Sequence, residues 1–448
     1  VNRRGLIAST ARGERPGEGE FHGGPRCSHA GGACSRKSHA TSLDLRASSQ
    51  LLRQCHLPLL QREAPSPQCH NWVVASMLRG CAVLCCAVLV RGAAPAPPSA
   101  ATLALVKARF TEQVTSRGTA AAAAQYAASL RQNGTWGDID YADQTRGAWK
   151  TAAHMERVVA LAQALPFAPP PQRSALLRAT VSSLGNWLEH DYRNPNWWYA
   201  VIGIPVDLIT VLLNIDAANA TDALSHAQRQ RALALMERSG FASSTKWTGA
   251  NLADVMKSQI ARGLIFGNAT AVMSGFARVW AELYVSNWND DNIQADGSFH
   301  QHSDEGVRGA LLAGSYGAVF TNDMLGFVGL ASGTPLAMSS QQAQVFSSLL
   351  LDGQRWMITP ANQWDWSVIG RGNSGPGDHS VGAFGGHANF ITEISLPARK
   401  AELSAFAACL NSSISSAQPP VSFLEGSARN GLTTLRLRGR WHPRLHAG

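Results

Sequence analysis

An all-α body of helix hairpins is the fold class this sequence predicts, and two observations predict it. From about Leu103 onward, apolar residues recur three and four apart in Ala- and Leu-rich segments, the spacing that lines up one face of a helix. Between these segments stand Gly, Pro and Asn clusters such as FAPPPQ and RNPN, which stop a helix and turn the chain. No self-similar period is strict enough to define a named solenoid repeat.

The chain has 448 residues, 45% of them apolar, enough for a sizeable core. Residues 1–76 lack hydrophobic periodicity and are crowded with Gly, Ser, Arg and His; they are expected to be disordered or to be upstream sequence carried into the chain. Met77 opens MLRGCAVLCCAVLVRGAAPAPPSA, an Arg, a short apolar run, then small residues and prolines. That is the order of a secretory signal peptide over 77–95, too short in its apolar part to span a bilayer, and a buried helix is the alternative. The expectation is an extracellular chain with no membrane anchor once the leader is removed. Four Asn-x-Ser/Thr acceptors follow it, at Asn133, Asn219, Asn268 and Asn411.

Residues 96–420 form the expected helical body. Its helices are read at ALVKARFTEQV, AAHMERVVALAQAL, RSALLRATVSSLGNWLEHDY and HAQRQRALALMERSG, with an almost wholly apolar one at AVIGIPVDLITVLLNI and another after Asn251 carrying Lys257 and Arg262. The final stretch, 421–448, is basic and fits neither a clean helix nor a core strand.

The formal charge of +9 invites a nucleic-acid reading, but it sits at the ends. Residues 1–76 contribute +5, 77–95 add +2 and 421–448 add +4, leaving the body near −2. A polyanion-binding surface of the nucleic-acid type therefore has no support on the body. Of eight cysteines only Cys409 falls in the body, so neither a disulfide framework nor a cysteine zinc site can be drawn there.

Chemistry is expected in DGSFHQHSDEGVRGALLAGSYG, Asp296 to Gly317, which carries His300, His302 and Tyr316 among glycines that permit close approach of a substrate. The H-x-H pair lacks a third ligand at convincing metal spacing apart from Asp304 and Glu305. Asn196-Trp197-Trp198 stands on a loop before the apolar helix. Adjacent residues point in different directions, so at least one indole is expected to be free to stack on a sugar ring. Asn251, in Trp247-Thr-Gly-Ala-Asn251, reads on its own as an N-cap. GRGNSG, around Arg371, matches a dinucleotide fingerprint in letters only, having no amphipathic helix after it. Asp140 and Arg146 read as a structural pair and cap.

DGSF-x-QH followed by SYGAVF, with the NWW, TGAN and arginine-loop blocks in the same order, resembles the catalytic signature of the family 8 polysaccharide lyases, the hyaluronate and chondroitin lyases. The resemblance covers about residues 103–400. It implies an incomplete α/α toroid of helix hairpins around a cleft; the β-sandwich domains that follow in full-length members are not in this sequence. It implies β-elimination on a uronic-acid polysaccharide, a polyanionic substrate, with no metal or cofactor. By the same resemblance Asn251 neutralises the uronate carboxylate, His302 and Tyr316 move the C5 proton, Arg371 steadies the substrate, and Trp197, Trp198 and Asn196 form the aromatic patch. Which of His302 and Tyr316 is the base stays open.

Two departures stand out. His302 and Tyr316 are fourteen apart, as if SDEGV had been inserted, which would displace His302 if the loop does not bulge. A second family arginine, four residues after Arg371, is Gly375. Two other readings remain: an inactive or binding-only relative, favoured by these departures, and an α/α-toroid glycoside hydrolase using Asp254, Asp296 or Asp365 as its carboxylates.

Overall fold

The computed structural model describes residues 96–238, 247–286, 290–303, 309–359, 362–370 and 380–411. The expected leader and the segment before it, the basic tail, Arg371, Gly375, Asp304 and Glu305 lie outside these residues.

The amphipathic segments become helices α1 (Ala100–Val114), α2 (Ala120–Ser129), α3 (Ala153–Ala164), α4 (Pro170–His190), α5 (Ile204–Ala217), α6 (His226–Glu237), α7 (Gly249–Phe266), α8 (Ala269–Ala281), α9 (Tyr316–Ala331), α10 (Ser340–Ser348) and α11 (Lys400–Asn411). Their starts are written locally. Ser99 Oγ accepts from Thr102 N at 3.1 Å to open α1, Asn268 caps α8, and Ser225 with Gln228 and Ser339 with Gln342 form reciprocal capping boxes at α6 and α10. The proline run opens α4, where a missing N–H has no intrahelical partner to lose, and α4 ends on Asp191 in the left-handed region, whose carboxylate gathers Arg193, Arg231 and Arg238.

Two rows of helices result. In the inner row α3 packs on α5, α5 on α7 and α7 on α9; in the outer row α2 packs on α4 and α4 on α6, with α8 against the back of α7. Helix α1 lies against α5, α7 and α9. This is the helix-hairpin architecture expected, inner and outer helices alternating along the chain. Helix α5 is preceded by a widened turn, Tyr199–Gly203, and the combined stretch Tyr199–Ala217 is long and apolar enough to cross a membrane by length alone. Its apolar residues instead meet α1, α3, α6 and α7, the situation of a central core helix.

The inner faces of α1, α3, α5, α7 and α9 border a hollow of about 1180 Å³. On its wall Lys257 Nζ sits 2.6 Å from Asp323 and 3.2 Å from Asp254, joining α7 to α9. Burial and the negative Asp323 beside it push the Asp254 carboxyl well above the carboxylate range, and Lys257 only partly offsets them.

The all-α expectation holds, and within the helical body the described residues add a small three-stranded antiparallel sheet: β1 (Asn292–Ile293), β2 (Phe299–Gln301) and β3 (Ala310–Leu311). Its register sets Asn292 against His300, Ile293 against Phe299, His300 against Leu311 and Gln301 against Ala310. Strands of two or three residues carry too little alternation to read from sequence. Of the structural pair and cap expected at Asp140 and Arg146, the cap forms and the pairing is corrected. Asp140 caps the turn at Ala142 N, and Arg146 donates to Pro195 O, because the 143–150 loop lies against the loop that carries the two tryptophans.

Behind that loop lies a buried aromatic cluster of Trp136, Tyr141, His154, Trp187 and Tyr192. His154 Nε2–H donates to Ser183 O at 2.9 Å, so its Nδ1 accepts from the Tyr141 hydroxyl at 3.0 Å, which in turn accepts from Trp136 N. Burial pulls the His154 pKa from 6.5 to about 4. The unfolded chain therefore binds a proton below pH 6.5 that the folded chain refuses until about 4. His154 thus contributes stability that is present above pH 6.5 and lost as pH falls toward 4, while Asp254 has the opposite slope. The difference between parent and His154→Gln isolates the histidine. Measured by denaturant titration, that difference is expected to shrink as pH falls across this window, by roughly 1.4 kcal/mol per pH unit.

Candidate active site

The first turn of a helix leaves amide N–H groups without intrahelical partners. At α7 two of them are met by residues from distant segments. Gly249 N donates to Glu282 Oε1 at 2.6 Å, and Ala250 N donates to Gln301 Oε1 at 3.2 Å. Burial pushes the Glu282 carboxyl up, against the pull of the Gly249 amide and of Arg278 at 3.1 Å. Only glycine fits at 249: its φ is +54°, and a Cβ there would stand 2.4 Å from Gln301 Oε1. The stitch places Asn251 one residue beyond one end of the Ala250–Gln301 bond and His302 one residue beyond the other. Thr248, not Asn251, holds the N-cap position, so Asn251 lies half-buried inside the first turn.

A second close approach joins β2 to α9. Leu312 N donates to Phe299 O at 3.0 Å, Gly317 N donates to Leu312 O at 2.9 Å, and a Cβ on Gly317 would meet Phe299 Cβ at 3.0 Å. Tyr316, the first residue of α9, is thereby held close to β2, the strand that leads into His302. The His302 and Tyr316 rings meet edge to face, centroids 4.7 Å apart at 85°. The extra residues between them do not part the two rings. His302 is exposed with φ +65°, and Tyr316 is half-buried where the dipoles of α9 favour negative charge. His300, expected beside them, is instead buried as the central residue of β2 between Asn292 and Leu311.

The two tryptophans divide as adjacent residues should. Trp197 is 46% exposed and stacks on Trp247, ring centroids 4.9 Å apart and tilted by 31°. Trp198 is half-buried, borders the hollow, and lies over Gly203, where a Cβ would come within 2.7 Å of its ring. Asn196 is engaged by its own loop and by the 143–150 loop beside it. Its Oδ1 accepts from Trp198 N at 3.1 Å and its Nδ2 donates to Arg146 O at 3.0 Å, so it shapes that loop rather than facing outward. Trp247 is the member of this face that sequence reasoning misses, since it reads only as the start of the TGAN block. The signal available is an aromatic four residues before Asn251, close enough to share its surface.

The carboxylates of the hydrolase reading are engaged elsewhere. Asp296 Oδ1 accepts from Ser298 N and Oγ, Asp365 Oδ1 accepts from Ser367 N and Oγ, and Asp254 is buried against Lys257. Among the described residues no group of three His, Cys, Asp or Glu side chains is arranged to hold a metal ion. The described residues thus bring Asn251, His302, Tyr316 and Trp197 to one region; Arg371 lies outside them.

A family profile described as "Polysaccharide lyase family 8, N terminal alpha-helical domain" matches residues 101–414. A curated relative, chondroitinase-AC of Pedobacter heparinus, is 24% identical over 252 residues, which is 55% of this chain and 34% of the relative. A solved chondroitinase AC lyase, from a study of its oligosaccharide complexes, superposes with a TM-score of 0.62 at 22% identity, covering 70% of this chain and 45% of the other. A Paenibacillus xanthan lyase gives 0.55 at 19% identity, covering 70% and 32%. These two structures share the α/α-toroid fold of this chain, which spans about a third of the length of the curated relative.

Gly249→Ala is expected to destabilise the chain by about 1–2 kcal/mol for its left-handed backbone and further for the displaced Gln301. Gly267→Ala is the control. It shares a positive φ of +73° but would meet nothing within 4 Å, so urea titration should show the smaller loss there.

Proposed function

The chain belongs to polysaccharide lyase family 8, and from that membership we propose that it is a carbon–oxygen lyase that cleaves a uronic-acid-containing polysaccharide, of the hyaluronan or chondroitin kind, by β-elimination. The observation that carries the proposal is the edge-to-face pair of His302 and Tyr316, held one residue from the stitch that positions Asn251.

The C5 proton of a uronate is weakly acidic while the neighbouring carboxylate is ionised. The Asn251 amide donates to that carboxylate and stabilises the charge that develops as the proton leaves. His302 or Tyr316 takes the C5 proton, the C–H electron pair becomes the C4=C5 double bond, the C4–O bond breaks, and the leaving oxygen is protonated from the Tyr316 side. The products are an unsaturated uronate and a chain with a new hydroxyl end. Trp197, stacked on Trp247, offers an aromatic plane to the CH face of a sugar, and Arg371 steadies the polyanion with a fixed guanidinium fork. Each proton and charge in this scheme is handled by a side chain, so turnover is expected to persist in a chelator.

We place the lyase domain at 96–420 and propose that the chain is secreted behind the leader at 77–95. Asn133, Asn219, Asn268 and Asn411 are all exposed, which suits glycans at each acceptor. Expression through a eukaryotic secretory route should give a product whose mass falls on glycosidase treatment.

The central test follows ultraviolet absorbance of the unsaturated uronate on hyaluronan and on chondroitin. Tyr316→Phe is expected to cut kcat at least roughly a hundredfold. Trp197→Ala is expected to raise KM roughly two- to tenfold with kcat little changed. Reducing ends appearing without that absorbance would defeat the lyase reading.

A further inference from the structure

Asp291, which has no part in the scheme above, sits between the two segments that must meet for the site to form. Its Oδ1 accepts from Ser303 N at 2.6 Å, and its Oδ2 accepts from Gln301 Nε2 at 2.6 Å and from Thr248 Oγ1 at 2.8 Å. Three donors converge on one carboxylate that is only 8% exposed, and the two shortest bonds have the length of charge-assisted ones. Gln301 and Ser303 are the residues on either side of His302. Thr248 is the residue that opens α7, three before Asn251.

The same carboxylate therefore holds the chain on both sides of His302, by the Ser303 backbone amide on one and the Gln301 side-chain amide on the other. That grip bears on a strained residue, since His302 holds φ +65°, a region L side chains seldom occupy unless their surroundings fix it. Gln301, 2% exposed, passes the constraint on: its Nε2 is held by Asp291 while its Oε1 takes the Ala250 amide. Gly309 closes over the junction, where a Cβ would meet Gln301 O at 3.1 Å and both Asp291 Oδ1 and Ser303 N at 3.2 Å. A Cβ there would require these neighbours, both ends of the Asp291–Ser303 bond among them, to give by a few tenths of an ångström.

We infer that Asp291 is a positioning residue of the active site: through Gln301, Ser303 and Thr248 it sets His302 in its left-handed conformation at Tyr316 and registers both against Asn251. It touches no substrate. Its loss should lower turnover without weakening the hold on the sugar, because Trp197, the exposed ring of that face, stands on a loop tied to the 143–150 loop through Asn194, Asn196 and Arg146.

The inference rests on the proposed lyase reading for its kinetic arm and on structure alone for its other arm. Asp291→Asn keeps the shape but presents an amide where an acceptor for three donors is needed. Gln301→Met removes the relay while filling the same volume. Each is expected to lower kcat at least tenfold with KM within twofold of the parent. In the histidine NMR spectrum of each variant, the His302 resonance, assigned by its loss in His302→Gln, should leave the position that the Tyr316 ring current gives it. If the parent never turns over, the lyase reading fails, and the shift of the His302 resonance still decides the role of Asp291. If both variants keep parental kcat and the parental His302 resonance, the inference is overturned. It is equally overturned if kcat and KM deteriorate together with a large fall in Tm, the signature of general damage. Should Asp291→Asn not fold, Gln301→Met carries the same two readouts.

Discussion

The geometry of the site depends on a debt common to every helix, the unpaired amides of its first turn. At α7 those amides are buried, so water cannot serve them, and acceptors have to come from elsewhere in the chain. Glu282 arrives from the end of α8 and Gln301 from the central strand of the small sheet. Once Gln301 is committed to Ala250, its neighbour His302 has nowhere to lie but beside the start of α7. The sheet then fixes Leu312 and Gly317, and with them Tyr316. A requirement of hydrogen-bond satisfaction thus gathers residues separated by more than fifty positions along the chain.

Much of this is legible in the sequence, and the reasons are physical. Helices of 9 to 21 residues show their period, and the caps at Ser99, Ser225, Asn268 and Ser339 use the residue types that such positions demand. The proximity of Asn251, His302 and Tyr316 follows only from likeness to a family, since no local pattern encodes a contact between a loop and two helix starts. The sheet is hidden because its strands are shorter than one cycle of alternation needs. His300 escapes a sequence reading for the same reason: two histidines one residue apart look equivalent until a strand buries one and a positive φ turns the other out. Asp291 and Trp247 escape it because their importance lies in partners from other segments.

The aromatic face illustrates how a scaffold divides roles between neighbours. Trp198 is committed to packing over Gly203, and Asn196 to the shape of the loop. Trp197 is left free to present a ring, backed by Trp247 from the segment that leads into Asn251. On the proposed reading, a sugar stacked on that ring would be registered through Trp247 to the start of α7, the helix that carries Asn251.

The cluster of Asp254, Lys257 and Asp323 on the wall of the hollow constrains how this fold can drift over evolutionary time. With the Asp254 carboxyl pushed toward its protonated form, the Lys257 ammonium comes close to balancing the two acids, and an interior surface tolerates the trio. Mutating the lysine alone would leave two buried acids facing each other without a counter-charge, whereas mutating one acid alone would leave a neutral lysine–carboxylate pair. Descendants of this chain are therefore expected to keep the lysine for as long as both acids remain, so that an acid is lost before the ammonium that serves it.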